Sequence, residues 1–117
     1  MMHKFSNEFF KDLKQDYDVY GYVTKTDKYG CEFTEKSYEP TEVLNVLWQP
    51  LTSEADIAAY GQSIKSMLYA IVYDDPNINY GDTVVIDGYD YKIVGIKPYR
   101  TYQRIDVSKV EVDSNGH

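Results

Sequence analysis

The chain has 117 residues, 43% of them hydrophobic, enough for one domain and short for two. Its 12 Lys and Arg stand against 19 Asp and Glu, a net charge of −7, which argues against a protein that grips nucleic acid through its phosphates. The single cysteine, Cys31, excludes an intrachain disulfide and fits a reducing compartment, and no apolar run approaches the roughly 20 residues of a membrane span.

Residues 5–14 (FSNEFFKDLK) repeat Phe5, Phe9 and Leu13 at i+4, one side of a short helix capped by Ser6 or Asn7. Such a helix either packs on its own domain or docks on a neighbouring subunit. The spacing therefore predicts a helical arm over 1–17, a β domain over 18–112 and a loose tail over 113–117. No secretory leader is apparent before residue 15, so a soluble protein is expected. His3 and His117 sit far from Cys31 at the two ends, which leaves no Cys–His nucleophile in view.

Residues 18–26 (DVYGYVTKT) predict a first strand, and 27–30 carry turn chemistry. Residues 31–41 are polar and read as a loop or irregular hairpin. Residues 41–48 (TEVLNVLW) are apolar on both faces and predict a second, central strand. Ser53 and Asp56 form a capping pair and Gly61 is placed for a stop, so a short helix is expected over about 54–60. Residues 62–65 connect it to a strand over 66–73 (SMLYAIVY). In 75–81 the alternating Asp75, Asn77 and Asn79 hint at a calcium loop, but an EF-hand needs Gly at position six and Glu at position twelve, where Tyr80 and Ile86 stand.

The sharpest local signal is 78–96 (INYGDTVVIDGYDYKIVGI). Asp87-Gly88 suits a type I′ turn. That turn pairs Ile86 with Tyr89, Val84 with Tyr91 and Asp82 with Ile93, and places Val84, Ile86, Tyr89, Tyr91 and Ile93 on one face. The apolar parity switches after Gly95, which predicts a bulge or bend there. Residues 97–102 form a loop, and 103–112 (QRIDVSKVEV) a closing strand. Thirteen tyrosines are spread from Tyr17 to Tyr102; they line a small β core and its rim, or build an aromatic interface. No glycine-rich phosphate loop, zinc spacing or convergent Ser/His/Asp set is present, so neither enzyme, cofactor nor metal is indicated.

The order of strand, VLWQPLTS (46–53), short helix, apolar strand and hairpin resembles the head-closure proteins of tailed bacteriophages, also called stoppers or head completion or head–tail joining proteins. The hairpin residues that carry the likeness are Ile78, Asp82, Val84, Ile86, Gly88, Tyr91, Ile93 and Gly95. The likeness spans about residues 41–110. It implies a mainly β fold: a small SH3-like antiparallel β-barrel with one short helix between strands. It implies a virion protein, made in the bacterial host cytoplasm, that self-associates into a ring in the neck. Its expected partners are portal or adaptor proteins and tail terminator or tail tube proteins; DNA passes nearby without sequence-specific binding, and no membrane is involved. The family's segment between the second and third core strands projects toward the DNA channel, which here assigns Pro50, Thr52, Ser53, Glu54, Asp56, Tyr60, Gln62 and Lys65 to a channel-facing loop. The likeness does not cover the first 17 residues; if the N-terminal helix is a docking arm, its i+4 face makes Phe5, Phe9 and Leu13 the subunit-docking residues. On this reading 54–62 is a separable insertion whose excision leaves the barrel folded. The alternatives are another connector part, an adaptor or a tail terminator or completion protein, and, from a different class, a tyrosine-rich module that binds a ligand such as carbohydrate.

Overall fold

Asp87 and Gly88 both take positive φ, 53° and 82°. This is the type I′ conformation whose twist matches that of paired strands. The computed structural model describes residues 13–110, with strands β1 (Gln15–Tyr20), β2 (Tyr22–Thr26), β3 (Glu32–Lys36), β4 (Glu42–Val46), β5 (Gln49–Pro50), β6 (Met67–Val72), β7 (Thr83–Ile86), β8 (Tyr89–Pro98) and β9 (Gln103–Lys109). One α-helix, α1 (Glu54–Tyr60), and a 3₁₀ helix (Gly61–Ser66) lie between β5 and β6. The turn sets β7 on β8 in the expected register, Ile86 opposite Tyr89 and Val84 opposite Tyr91. The Ile93 N–H donates to the Asp82 carbonyl at 2.9 Å, which extends the pair as expected. Val84, Ile86 and Ile93 are buried and Tyr91 half-buried. Tyr89 has the inward parity but is exposed, because the turn carries it past the end of the core. Thr83, expected on the polar face, is buried between the flanking strands β1 and β8.

Seven strands form one antiparallel sheet in the order β4-β1-β7-β8-β9-β6-β5. The sheet curls into a half-barrel around one apolar cluster built from Val19, Leu44, Val46, Ala70, Val84, Ile93, Ile105 and Val107. The predicted bulge falls where expected: Ile93 faces Val107, and Gly95 faces Asp106, so Val94 is the extra residue.

Three expectations change. The first predicted strand is two, and it begins earlier, at Gln15, so residues 15–17 belong to the sheet and not to an arm. Gly21 divides it. Its N–H leaves the ladder and donates to the Thr41 Oγ1 at 2.9 Å, and a Cβ at Gly21 would stand 3.1 Å from that oxygen. β2 then pairs only with β3, as a separate two-stranded ribbon over the stretch read as polar loop or irregular hairpin. The second change is β4, which is an edge strand and not a central one. Its two-sided apolar pattern resolves into buried Leu44 and Val46 and a 48% exposed Val43. The third is 62–65, which is 3₁₀ helix and not irregular connector. Phe5 and Phe9, the predicted helix over most of its length, and the tail after residue 110 lie outside the described residues; Leu13 is exposed.

Gly88→Ala places a Cβ on a residue with φ of 82° and should lower stability by about 1–2 kcal/mol. Urea unfolding checks it: the midpoint falls while the slope is unchanged.

Candidate functional site

The candidate site is the junction between α1 and the outer face of β9. β9 alternates, so Ile105 and Val107 enter the core and Arg104 and Asp106 point away from it. Outward residues of a strand normally meet water. Here Asp106 is fully buried, and Arg104 keeps only 17% of its side-chain surface.

α1 provides the cover. The Ser53 Oγ accepts the Asp56 N–H at 3.1 Å and starts the helix, as the sequence predicts. Gly61, with φ of 62°, stops it. Asp56 and Tyr60 are four residues apart and share the face turned to the sheet. Asp56 is the only buried residue of the helix, while Ala55, Ile57, Ala58 and Ala59 are exposed. The helix is thus fastened by its polar face and shows its apolar face outward, the reverse of an ordinary surface helix.

The contacts are short and charged. The Arg104 Nη2 donates to the Asp56 Oδ1 at 2.8 Å, and its Nε donates to the Asp106 Oδ1 at 2.7 Å. The Tyr60 hydroxyl donates to the Asp106 Oδ2 at 2.7 Å, and the Lys97 Nζ lies 3.4 Å from the same oxygen. Two carboxylates therefore meet two cations. Arg104 also lies over the ring of Tyr69, 4.5 Å from its centroid. Gly95 makes the room: a Cβ there would come within 2.8 Å of the Tyr60 hydroxyl and 3.0 Å of the Asp106 Oδ2. The bulge glycine is a clearance as well as a bend.

Burial pushes the Asp56 carboxyl upward, but the Ser53 cap and the Arg104 guanidinium together outweigh it and hold the group below its ordinary value of 3.8. Burial, and then the bond to Asp106, push the Tyr60 phenol up to about 12. Tyr60 therefore keeps its proton as a donor across the physiological range, and Asp56 stays ionised. Among the described residues no three His, Cys, Asp or Glu side chains converge as a metal site. The arrangement holds two elements together.

The eight residues expected on a channel-facing loop divide. Pro50, Thr52, Ser53, Glu54, Gln62 and Lys65 are exposed along 50–66. Asp56 and Tyr60 face the sheet instead, because Arg104 and Asp106 draw them in. Excising 54–62 would remove Tyr60 from Asp106 and Asp56 from Arg104. Sequence reasoning missed Gly95 as a clearance, took Lys97 and Arg104 only as the nearest approach to a basic cluster, and gave Asp106 no role. The available signal was Arg104-x-Asp106 at the outward parity of the last strand, a pattern that ordinarily marks a solvated face.

Beside the junction lies a groove of about 230 Å³ lined by Thr52, Ser53, Tyr69, Tyr99 and Tyr102. Its rings are already engaged. Tyr99 and Tyr102 stack on each other, centroids 4.8 Å apart, and Arg104 covers Tyr69.

No protein-family model matches the chain, and comparison with curated proteins returns no match. Among solved structures, the solution structure of protein SF1141 from Shigella flexneri 2a is similar, with a TM-score of 0.66 and 15% identity over 83% of this chain and 92% of that one. At that identity the likeness shows a shared fold and nothing more.

Replacing Arg104 by Met leaves two carboxylates facing each other without their shared cation. Arg104→Met should cost about 3 kcal/mol, the low end for a buried pair because the guanidinium keeps some exposure to water. Gly95→Ala should destabilise through overpacking by about 1–3 kcal/mol, and Tyr60→Phe should recover part of that loss, a coupling read in a double-mutant cycle. Acid should loosen the junction in a defined window. A depressed Asp56 contributes stability above its unfolded value, and that contribution is lost as pH falls below 3.8 toward the folded value. Amide exchange over 54–60 should accelerate in that window before the β8–β9 amides do.

Proposed function

We propose that this chain is a structural protein of the neck of a tailed bacteriophage, which joins head to tail and closes the DNA exit channel after packaging. The observation that carries the reading is the placement of 52–66. This helical segment sits between two strands of a curled β sheet, outside the core, and is fastened at one polar junction. Its outward side presents Glu54, Ile57, Ala58 and Gln62. That is the position of the projecting segment in the head-closure proteins the sequence resembles. A curled, mainly β antiparallel sheet carrying the Asp87-Gly88 hairpin supports that reading. The acidic surface suits a conduit through which phosphates slide without sticking. Portal or adaptor proteins on one side and tail proteins on the other are the partners this reading implies.

The tyrosine-rich ligand module gains less support. A stacking platform needs free ring faces, and Tyr69, Tyr73, Tyr99 and Tyr102 each have a ring or a cation on one face already.

Heads filled with DNA in the absence of this protein should leak it, and purified protein should restore retention. Ile57→Asp with Glu54→Lys, both on the exposed side of α1, should keep the Tm within a few degrees and impair retention. Sealed heads without the protein would sink the proposal, and sealed heads bearing tails of aberrant length would point to a tail terminator instead.

A further inference from the structure

β4 ends the sheet, but its outer edge is not bare. The Val43 N–H turns away from β1 and donates to the Oε1 of its own neighbour, Glu42, at 2.9 Å. The second oxygen of that carboxylate, Oε2, accepts the Asn77 N–H at 2.7 Å. These bonds, the one from Asn77 foremost, hold the Glu42 carboxyl below its ordinary value of 4.5, so it is ionised at neutral pH. Alternate amides of a strand point the same way, so the Asn45 N–H faces outward with that of Val43. An edge with free main-chain groups is a template for another strand. Here a side-chain carboxylate occupies the place of a partner strand's carbonyl.

The edge opens on a groove of about 400 Å³, with residues 42–45 on one wall and 71–76 on the other. The far wall is open too, since β5 pairs only with Leu68 and Tyr69 of β6. Val43, 48% exposed, and Ile71 supply apolar surface. Glu42, Asp74 and Asp75 line the groove against one cation among the described residues, Lys14, which lies over the Tyr73 ring at 5.5 Å from its centroid. Asp75 is braced by the Gln103 Nε2 at 3.2 Å, and Asp74 has no ion-pair partner among the described residues. The groove thus combines a strand edge, apolar patches and an excess of negative charge.

We propose that the β4 edge binds an extended, cationic segment of a different protein, which adds to the sheet as a further strand. Main-chain bonds to Val43 and Asn45 supply affinity, and alternate side chains supply specificity: lysine or arginine toward Glu42, Asp74 and Asp75, aliphatic groups toward Val43 and Ile71. A carbonyl of the incoming strand takes over the Val43 N–H and frees Glu42 to meet a cation. The same carboxylate blocks strands that offer nothing for its charge. A second copy of this chain brings like charge to the groove, which disfavours pairing of β4 with itself. The edge has these properties whether or not the neck reading holds.

Fluorescence anisotropy tests it, with a labelled hexapeptide alternating valine and lysine added to the full chain at about 50 mM and about 500 mM salt. The expected result is saturable binding that weakens at high salt and is lost when glutamate replaces lysine in the peptide. Amide exchange at Val43 and Asn45 should slow when the peptide is added. Val43→Pro removes one outward N–H, a change an edge strand accepts, and should weaken binding about tenfold or more. Asp74→Asn/Asp75→Asn leaves the β4 backbone untouched and should weaken binding about threefold or more and flatten its salt dependence. That pair decides the matter if Val43→Pro lowers the Tm by more than a few degrees. Absence of binding at about 1 mM peptide, equal binding of the glutamate peptide, or protection confined to β2 and β3 overturns the proposal. So does protection of Val43 and Asn45 that rises with protein concentration in the absence of peptide, which would assign the edge to a second copy.

Discussion

Asp106 is a carboxylate on the outward side of a strand with none of its surface reaching water. A charge in that position is strongly disfavoured unless it is paired and hydrogen-bonded. The structure meets that demand from three directions. Arg104 reaches back along its own strand, Lys97 comes across from β8, and Tyr60 comes down from α1. Each needs something further. Tyr60 needs Gly95 to have no side chain, and the bulge at Val94 puts Gly95 opposite Asp106. Arg104 needs Asp56 to balance its second nitrogen, and Asp56 needs Ser53 to begin the helix at the right residue. One buried charge thus fixes a bulge, a helix start and the face the helix presents.

The consequence is a helix attached without apolar burial. Between Leu51 and Met67, both in the interior, Asp56 is the only buried residue. Apolar attachment is non-directional, whereas a charged junction is specific in geometry and responds to pH and ionic strength.

Elsewhere the fold leaves edges. β4 ends the sheet, and β5 covers only two residues of β6. The β2–β3 ribbon stands apart with no buried residue, braced by Lys25–Glu35, by Lys36 over Tyr20 and by Lys36 to Asp90 at 3.8 Å. A two-stranded ribbon is marginal alone in water. Its attachment runs through Gly21, Thr41 and the Ser37 N–H to the Gly21 carbonyl, all at its base. The exposed Tyr22, Phe33 and Tyr38 therefore sit on a supported but uncovered projection.

What the sequence determined by itself was local. The Asp87-Gly88 turn, its register, the Gly95 bulge and the Ser53–Gly61 helix were all legible, because each depends on backbone conformation or capping within a few residues. The period-two pattern likewise marked Val84, Ile86 and Ile93 as interior. Only the tertiary structure decided the rest. TEVLNVLW reads the same whether a strand is central or at an edge, since both faces of a curled sheet's edge can touch other elements. DVYGYVTKT gives no sign that Gly21 hands the chain from one sheet to another, because the reason is Thr41, twenty residues away. The junction was the least legible part. Arg104 and Asp106 look like solvent residues in their strand, and Asp56 and Tyr60 look like solvent residues in their helix. Their pairing across 46 and 48 positions of chain exists only once the sheet has curled and the helix has folded over it.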